Sequence, residues 1–399
     1  MKIAIVFEIF YPTVNGIITS SVNLAENLID RGHEVLFIAP RWDAFREPFV
    51  NGRIPVRYIE SQNNWAYPGM RNVLPWNRTV EVVLRREKVD AIHITGPWLI
   101  TWASIRAARR LGLPVIHTFH TMLHEPSYII YMFRVRLLVP VIQALAWRYY
   151  SLFVNRSTIN TGPSKMACRQ LLHHFPDADM RFVSNGVDVG RFETYATREA
   201  LRRRYPRHND RTFLFVGRLG QEKSVDELID AMALVVQRRG DARLFIVGDG
   251  PSARRYQAQV HRLGLERCVS LLGRIAHADL IASGLIHHAL AFVTASTTEN
   301  QPMTVIEAVC CNVPAIVPDV PGITELVEEN GVRFEAHSVE ALADAMVRLI
   351  DDEALRARCI EASEGMKSRF DGRNVAGQFE AIYRDALERV LPRHTAGRG

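Results

Sequence analysis

Two carboxylates, Glu299 and Glu307, stand with seven residues between them in the stretch Ser296-Thr297-Thr298-Glu299-Asn300-Gln301-Pro302-Met303-Thr304-Val305-Ile306-Glu307-Ala308. The apolar run Leu290-Ala291-Phe292-Val293 reads as a strand that ends just before them. Pro302 suits the first turn of a helix, where its missing N–H costs nothing. Glu299 then falls in a strand-to-helix loop and Glu307 in the helix that follows. Their separation is about two helical turns, so both can face one cleft. Backbone N–H groups at such a helix start favour an anion, a diphosphate for example. Spacing alone fits two solvated glutamates flanking an ordinary loop equally well.

A second group lies in Val216-Gly217-Arg218-Leu219-Gly220-Gln221-Glu222-Lys223-Ser224, after a strand and before a helix. The glycines let the loop bend and approach a ligand closely. Arg218 offers a forked guanidinium and Lys223 a point charge, a pair suited to a diphosphate. A βα turn with two solvated cations is the plainer alternative. Val247-Gly248-Asp249-Gly250-Pro251 is another glycine turn after a strand, and its reading is mostly structural. Asn15-Gly16 lies in the loop expected after the first strand, where glycine can admit a phosphate or sugar, or simply turn. His117 falls inside a strand and His120 just past it, so His120 is the better candidate for ligand contact. His124 follows closely, but no familiar ligand spacing or acidic cluster completes a metal site.

Strands and helices alternate along the whole chain. Strands are expected at 2–7, 34–39, 54–60, 90–94, 114–119, 157–160 and 181–184, with helices near 18–31 and 98–111. A second series begins at Thr212 and continues through 244–247, 268–272, 290–294 and 314–317. Helices near 338–351, 353–369 and 373–390 close it. Continuous apolar strands separated by helices imply an α/β fold with parallel sheets covered on both faces. A turn at Asn185-Gly186-Val187-Asp188 and the basic stretch 194–211 mark a junction. The expected division is an N-terminal Rossmann-like domain over 1–190, a C-terminal one over 191–375, and a helix with a tail over 376–399. Tandem sheets of this kind bind ligands at the carboxyl ends of their strands.

Five cysteines without paired spacing argue against a disulfide framework and for a reducing compartment. Residues 1–7 read as a strand rather than a signal peptide. No uncharged run approaches the ~18 apolar residues that a membrane-crossing helix needs. The net charge of +6 is unevenly distributed. No Asp or Glu occurs from Pro126 to Pro176, a stretch that holds Arg134, Arg136, Arg148, Arg156, Lys165 and Arg169. Tyr131, Phe133, Trp147, Tyr149 and Phe153 are interleaved with them. This pattern suits a segment lying in an anionic membrane interface, with Arg134, Arg136, Trp147 and Arg148 as its contacts. Core packing with snorkelling arginines is the alternative. A nucleic-acid groove has no recognition motif to support it.

Taken together, these residues resemble the family-4 retaining glycosyltransferases of the GT-B fold. The similarity spans nearly the whole chain. It rests on Glu299 through Glu307, Gly217-Arg218 with Glu222-Lys223, Val247-Gly248-Asp249-Gly250, and Ser184-Asn185-Gly186-Val187-Asp188, all in family order. The resemblance implies two Rossmann-like parallel-sheet domains facing across a cleft, with C-terminal helices returning toward the N-terminal domain. It implies that Arg218 and Lys223 bind the diphosphate of a nucleotide sugar and that Glu307 holds the ribose. Glu299 would contact the donor sugar, helped by the backbone of Pro302, Met303 and Thr304. Gly16 would line the phosphate side, and His120 would lie beside the transferred sugar. No cofactor or metal is implied, because cations and amides stabilise the leaving diphosphate.

A narrower resemblance, carried by Tyr11 through Ser20 and by His117-Thr118-Phe119-His120-Thr121, is to the diacylglycerol and membrane-lipid glycosyltransferases and related mannosyltransferases. It implies a peripheral protein at the inner face of the cell membrane that passes a hexose to a lipid, with UDP-glucose the favoured donor and diacylglycerol the favoured acceptor. Other readings are a GDP-mannose enzyme acting on phosphatidylinositol or a glycolipid, a nucleotide-sugar epimerase, and a non-catalytic binding protein. The chain departs from the family at Ser224 and Asn312, where glycine is common. It departs again at Asn15-Gly16, in place of a double glycine, and at Gln301-Pro302, in place of Phe-Gly.

Overall fold

The computed structural model describes residues 1–11, 15–42, 46–64, 71–126, 129–130 and 137–390. Arg134 and Arg136 lie outside the described residues. The chain divides into two units, Met1–Gly186 with Gly372–Gly399, and Val187–Asp371. The breaks fall at Gly186 and Asp371 rather than at 190 and 375. The last helix is part of the first unit rather than a separate tail.

In the first unit the elements are β1 (Lys2–Val6), α1 (Gly16–Asp30), β2 (Glu34–Pro40), β3 (Phe49–Val50), β4 (Ile54–Ile59), β5 (Gln62–Asn63) and β6 (Arg71–Asn72). Next come α2 (Thr79–Arg86), β7 (Ala91–Ile94), α3 (Leu99–Leu111), β8 (Val115–Thr118), α4 (Val139–Val154), β9 (Ile159–Gly162), α5 (Lys165–His174) and β10 (Met180–Phe182). The main sheet has the order β10-β9-β8-β7-β1-β2-β4-β3. Its pairings are parallel except for β3 against β4. β1 is buried at Ile3 through Val6, which is why it reads as an unbroken apolar run.

The second unit contains α6 (Arg198–Arg204), β11 (Thr212–Val216), α7 (Val225–Arg238), β12 (Arg243–Val247), α8 (Ala253–Arg262), β13 (Val269–Gly273) and α9 (His277–Ala282). It continues with β14 (Ala291–Val293), α10 (Met303–Cys310), β15 (Ala315–Pro318), β16 (Gly331–Phe334), α11 (Val339–Asp351) and α12 (Glu353–Phe370). Its sheet, β13-β12-β11-β14-β15-β16, is parallel throughout. One core joins its strands to α7 and α11 through Leu228, Met232, Leu342 and Met346. Another joins them to α9, α10 and the end of α12 through Leu280, Ile306, Val309 and Phe370. Apolar residues of both faces are therefore withdrawn from water, as a parallel sheet requires.

Of the closing helices, α13 (Gly372–Val390) alone belongs to the first unit. Val375, Phe379, Ile382 and Tyr383 enter the same core as Ile3, Ile5, Leu24 and Leu28. Glu380 on α13 accepts from Arg31 at 2.7 Å. α11 and α12 stay with the second unit. The expectation that several helices return is thus narrowed to one.

Candidate active site

In the second unit, the loop after β11 is laid against the loop after β12 by backbone bonds that continue beyond the sheet. Gly217 N donates to Val247 O at 3.0 Å, Leu219 N to Asp249 O at 2.9 Å, and Ser252 N to Leu219 O at 2.9 Å. Gly248 makes the approach possible. It sits at φ +145°, and a Cβ there would lie 1.8 Å from the Gly217 carbonyl oxygen. The turn read as structural is therefore what allows the Arg218 loop to take its course. The buried Tyr256 hydroxyl of α8 donates to Gly220 O at 3.0 Å and fixes the loop's far end.

The loop ends in a short 3-10 turn, Gln221–Lys223, followed by Ser224 at φ +47°. Asn312, just past α10, sits at φ +57°. Ser224 and Asn312, two of the positions where glycine is common among the proteins this chain resembles, are thus left-handed positions, which non-glycine side chains occupy at a cost. At Asn312 the side chain also donates to Glu364 Oε2 at 2.6 Å. Ser224→Gly is expected to stabilise the protein by about 0.5–1 kcal/mol, read from denaturant unfolding. An unchanged or lowered midpoint would show that the Ser224 side chain carries a compensating contact.

The two cations of the Arg218 loop are each met by a carboxylate. Arg218 donates to Glu222 Oε1 at 2.6 Å. Lys223 pairs with Glu299, whose Oε1 also lies 3.0 Å from Ser296 Oγ. Ser296 Oγ is in turn 3.3 Å from the Glu222 carbonyl oxygen. Arg218, Glu222, Lys223, Ser296 and Glu299 thus form one network at the carboxyl ends of β11 and β14. Ser296 carries no role in the sequence reading, and Glu222 enters it only as part of the motif with Lys223. An acidic residue beside Lys223 and a serine three before Glu299 are the only signals the sequence offered.

Pro302 is the N-cap of α10, at φ −70° and ψ +120°, rather than a residue of its first turn. No side chain caps this helix start, which leads on to Met303 and Thr304. Glu307, on α10, is 3% exposed, and its Oε1 lies 2.9 Å from His277 Nε2. The solvated-glutamate alternative fails for both residues: Glu299 is largely covered and ion-paired, and Glu307 is buried and hydrogen-bonded.

In the first unit, Gly16 opens α1 rather than sitting in a loop, and Asn15 is its N-cap, accepting from Ile18 N at 3.0 Å. An Asn side chain at that position satisfies a helix-end donor, so the Asn15 departure from a double glycine has a local purpose. His120 lies just past β8, and burial, aided by the nearby His117, pushes its pKa down to about 3. Burial also lowers His117 to about 4. His117 Nδ1 is 3.0 Å from Asn160 Oδ1, which confirms its structural place. His93, within β7, carries no signal of a role in the sequence. Its Nδ1 is 2.7 Å from the Tyr383 hydroxyl on α13, and its Nε2 is 2.6 Å from Thr118 Oγ1 at the end of β8. It links the last helix to the strand that leads into His120. Among the described residues, no group of three His, Cys, Asp or Glu side chains could hold a metal ion.

Trp147 departs from its expected lipid-facing role. Its ring is half-buried and stacked on His174 at 3.8 Å, with His124 at 4.2 Å on the same cluster. The ring is drawn inward because aromatic neighbours offer contacts that water does not. Arg148 is exposed as expected. The apolar surface lies instead on Leu137, Leu138, Val141 and Leu145, each more than half exposed. From Val141 their spacing runs along one face of α4 to Arg148, a periodic signal that the aromatic reading passed over. Among the described residues no helix is long and apolar enough to cross a membrane.

Known proteins agree with this architecture. Residues 197–366 match the family Glycosyl transferases group 1, and residues 14–191 match Glycosyltransferase Family 4. The alpha-monoglucosyldiacylglycerol synthase of Acholeplasma laidlawii is 24% identical over 98% of both chains. A GDP-mannose-dependent alpha-mannosyltransferase of Mycolicibacterium smegmatis is 30% identical over 88% of this chain and 89% of its own. Anabaena HepE, solved in complex with UDP, superposes with a TM-score of 0.77 at 20% identity, covering 96% of this chain and all of that one. With two parallel-sheet units and this 30% relative, the chain belongs to the family-4, group 1 glycosyltransferases and is a hexosyltransferase.

Proposed function

We propose that the protein transfers glucose from UDP-glucose to a membrane lipid, diacylglycerol being the favoured acceptor, at the inner face of the cell membrane. The observation that carries the lipid acceptor is the exposed row Leu137, Leu138, Val141 and Leu145 beside Arg148, within a stretch that has no carboxylate between Pro126 and Pro176. Apolar side chains would enter the acyl boundary while cations meet anionic headgroups. The Acholeplasma relative, a synthase named for a glucosylated diacylglycerol, supports the same acceptor, and a UDP complex of the Anabaena neighbour supports the nucleotide.

In this reading Arg218 leaves Glu222 and Lys223 leaves Glu299 to take the diphosphate. Glu307 holds the ribose, and Glu299, with the backbone of Pro302, Met303 and Thr304, meets the sugar. Gly16 lines the phosphate side. His120, neutral at pH 7, lies beside the sugar as a hydrogen-bonding group rather than a cation. The bond from the anomeric carbon to the phosphate oxygen breaks, the acceptor oxygen bonds to that carbon on the same face, and its proton passes to the departing phosphate. Charge developing on that phosphate is what the two cations stabilise. No metal or cofactor takes part.

The test is incubation with a panel of radiolabelled nucleotide sugars and diacylglycerol-containing anionic liposomes, followed by extraction. Lipid label from UDP-glucose supports the reading. Lipid label from GDP-mannose with phosphatidylinositol present supports the second reading, whose donor the name of the Mycolicibacterium relative favours. Label that stays in water overturns the lipid acceptor. A further prediction concerns the α4 row. Val141→Gln with Leu145→Gln is expected to lower co-sedimentation with anionic vesicles by about 30-fold, the equivalent of roughly 2 kcal/mol of lost apolar burial. Vesicle binding equal to wild type would rule out this face.

A further inference from the structure

Glu307 is a buried carboxylate in a site that must also accept an anionic diphosphate, and His277 is the protein group that meets it. His277 opens α9 directly after the β13 loop, and its side chain is 42% exposed while that of Glu307 is 4% exposed. Its Nε2 lies 2.9 Å from Glu307 Oε1. Other charged and titratable groups among the described residues act on the pair and its neighbours. Arg191 opposes a charge on His277. Glu307 is felt by the Cys310 thiol on its own helix and by that of Cys311, which caps the helix end, both pushed far up by burial and so neutral. Lys367 and Asp371 act on Cys310 from the α12 side.

We propose that His277 is a positioning residue of the donor site: it holds Glu307 Oε1, leaves Oε2 for the ribose hydroxyls, and as an imidazolium cancels the carboxylate's charge before a diphosphate arrives. This rests on the assignment of Glu307 to the ribose. The contact with Glu307 raises the His277 pKa above the ordinary imidazole value, against the pull of burial and of Arg191. The charged form therefore dominates below that raised value and is lost as pH rises through it. Nucleotide affinity should follow the same course, because the uncompensated carboxylate repels the diphosphate once the imidazole is neutral.

The experiment is calorimetric titration of the full chain with UDP, and with GDP in parallel, at pH 6 and pH 8.5. Wild type, His277→Gln, His277→Ala and Glu307→Gln are compared. The nucleotide's own phosphate titration is common to all, so the readout is the ratio of affinities at the two pH values relative to wild type. His277→Gln keeps a donor to Oε1 without the charge. It is expected to bind like wild type at pH 8.5 and to lose about a fivefold advantage at pH 6. His277→Ala is expected to lose affinity at both. A pH ratio in His277→Gln equal to that of wild type overturns the proposal. Glu307→Gln binding nucleotide as tightly as wild type instead removes the ribose assignment, and this inference with it.

Discussion

Lys223→Ala is expected to lower kcat/KM for sugar transfer by about 10³-fold, or roughly 4 kcal/mol of transition-state stabilisation. Two losses combine. The developing charge on the departing diphosphate loses a cation aimed at it. Glu299, largely covered and paired with Lys223, is left with Ser296 as its remaining partner. An uncompensated carboxylate beside the transferred sugar then adds repulsion where attraction is needed. Lys223→Arg should recover part of the rate, because the charge returns in a different shape. Initial rates with the donor identified in the liposome assay decide the matter. A loss below about threefold would remove Lys223 from the diphosphate site and leave it as the structural partner of Glu299.

Gly248→Ala is the substitution expected to damage the fold most. The new Cβ would stand 1.8 Å from the Gly217 carbonyl oxygen, at a φ of +145° that side chains avoid. Backbone rather than a flexible side-chain tip must yield, so relaxation is costly. We expect a loss of about 3–5 kcal/mol, measured by urea unfolding, at the upper end of what single substitutions produce. Because the Gly217 loop leads into Arg218, any folded fraction should also bind nucleotide poorly. Gly264→Ala is a suitable control, since it shares a positive φ but has nothing within 4 Å of the added methyl. If both variants lose the same stability, φ strain alone explains the effect and the close approach does not.

Both units were legible in the sequence because their central strands are apolar on both faces. Runs such as Lys2–Val6 and Thr212–Val216 announce themselves without a partner in view. Gly331–Phe334 did not, because the strand is short and interrupted by the exposed Arg333. The start of α1 was misplaced because glycine is a poor helix former, although Asn15 carried the capping signal. The cations and carboxylates of the donor site were legible by type and spacing, but their partners were not. Ser296 reaches the Glu222 carbonyl across 74 positions, and His93 meets Tyr383 across 290. Such pairs are made by tertiary packing, which leaves no local periodicity. Trp147 shows the opposite failure. Its type and neighbours suited a membrane interface, yet His124 and His174 supplied a better environment inside the protein.

The placement of α13 has a consequence for synthesis. The first unit is written in two pieces, Met1–Gly186 and the segment from Gly372, with the whole second unit between them. As the chain leaves the ribosome, the groove that receives Val375, Phe379 and Tyr383 must wait, apolar and uncovered, while 185 further residues emerge. The second unit is contiguous and can complete its core first, although it is translated later. For the same reason a chimera that exchanges donor-binding units within the family needs two junctions, one at Gly186 and one at Gly372, so that each first-unit core keeps the helix it was built around.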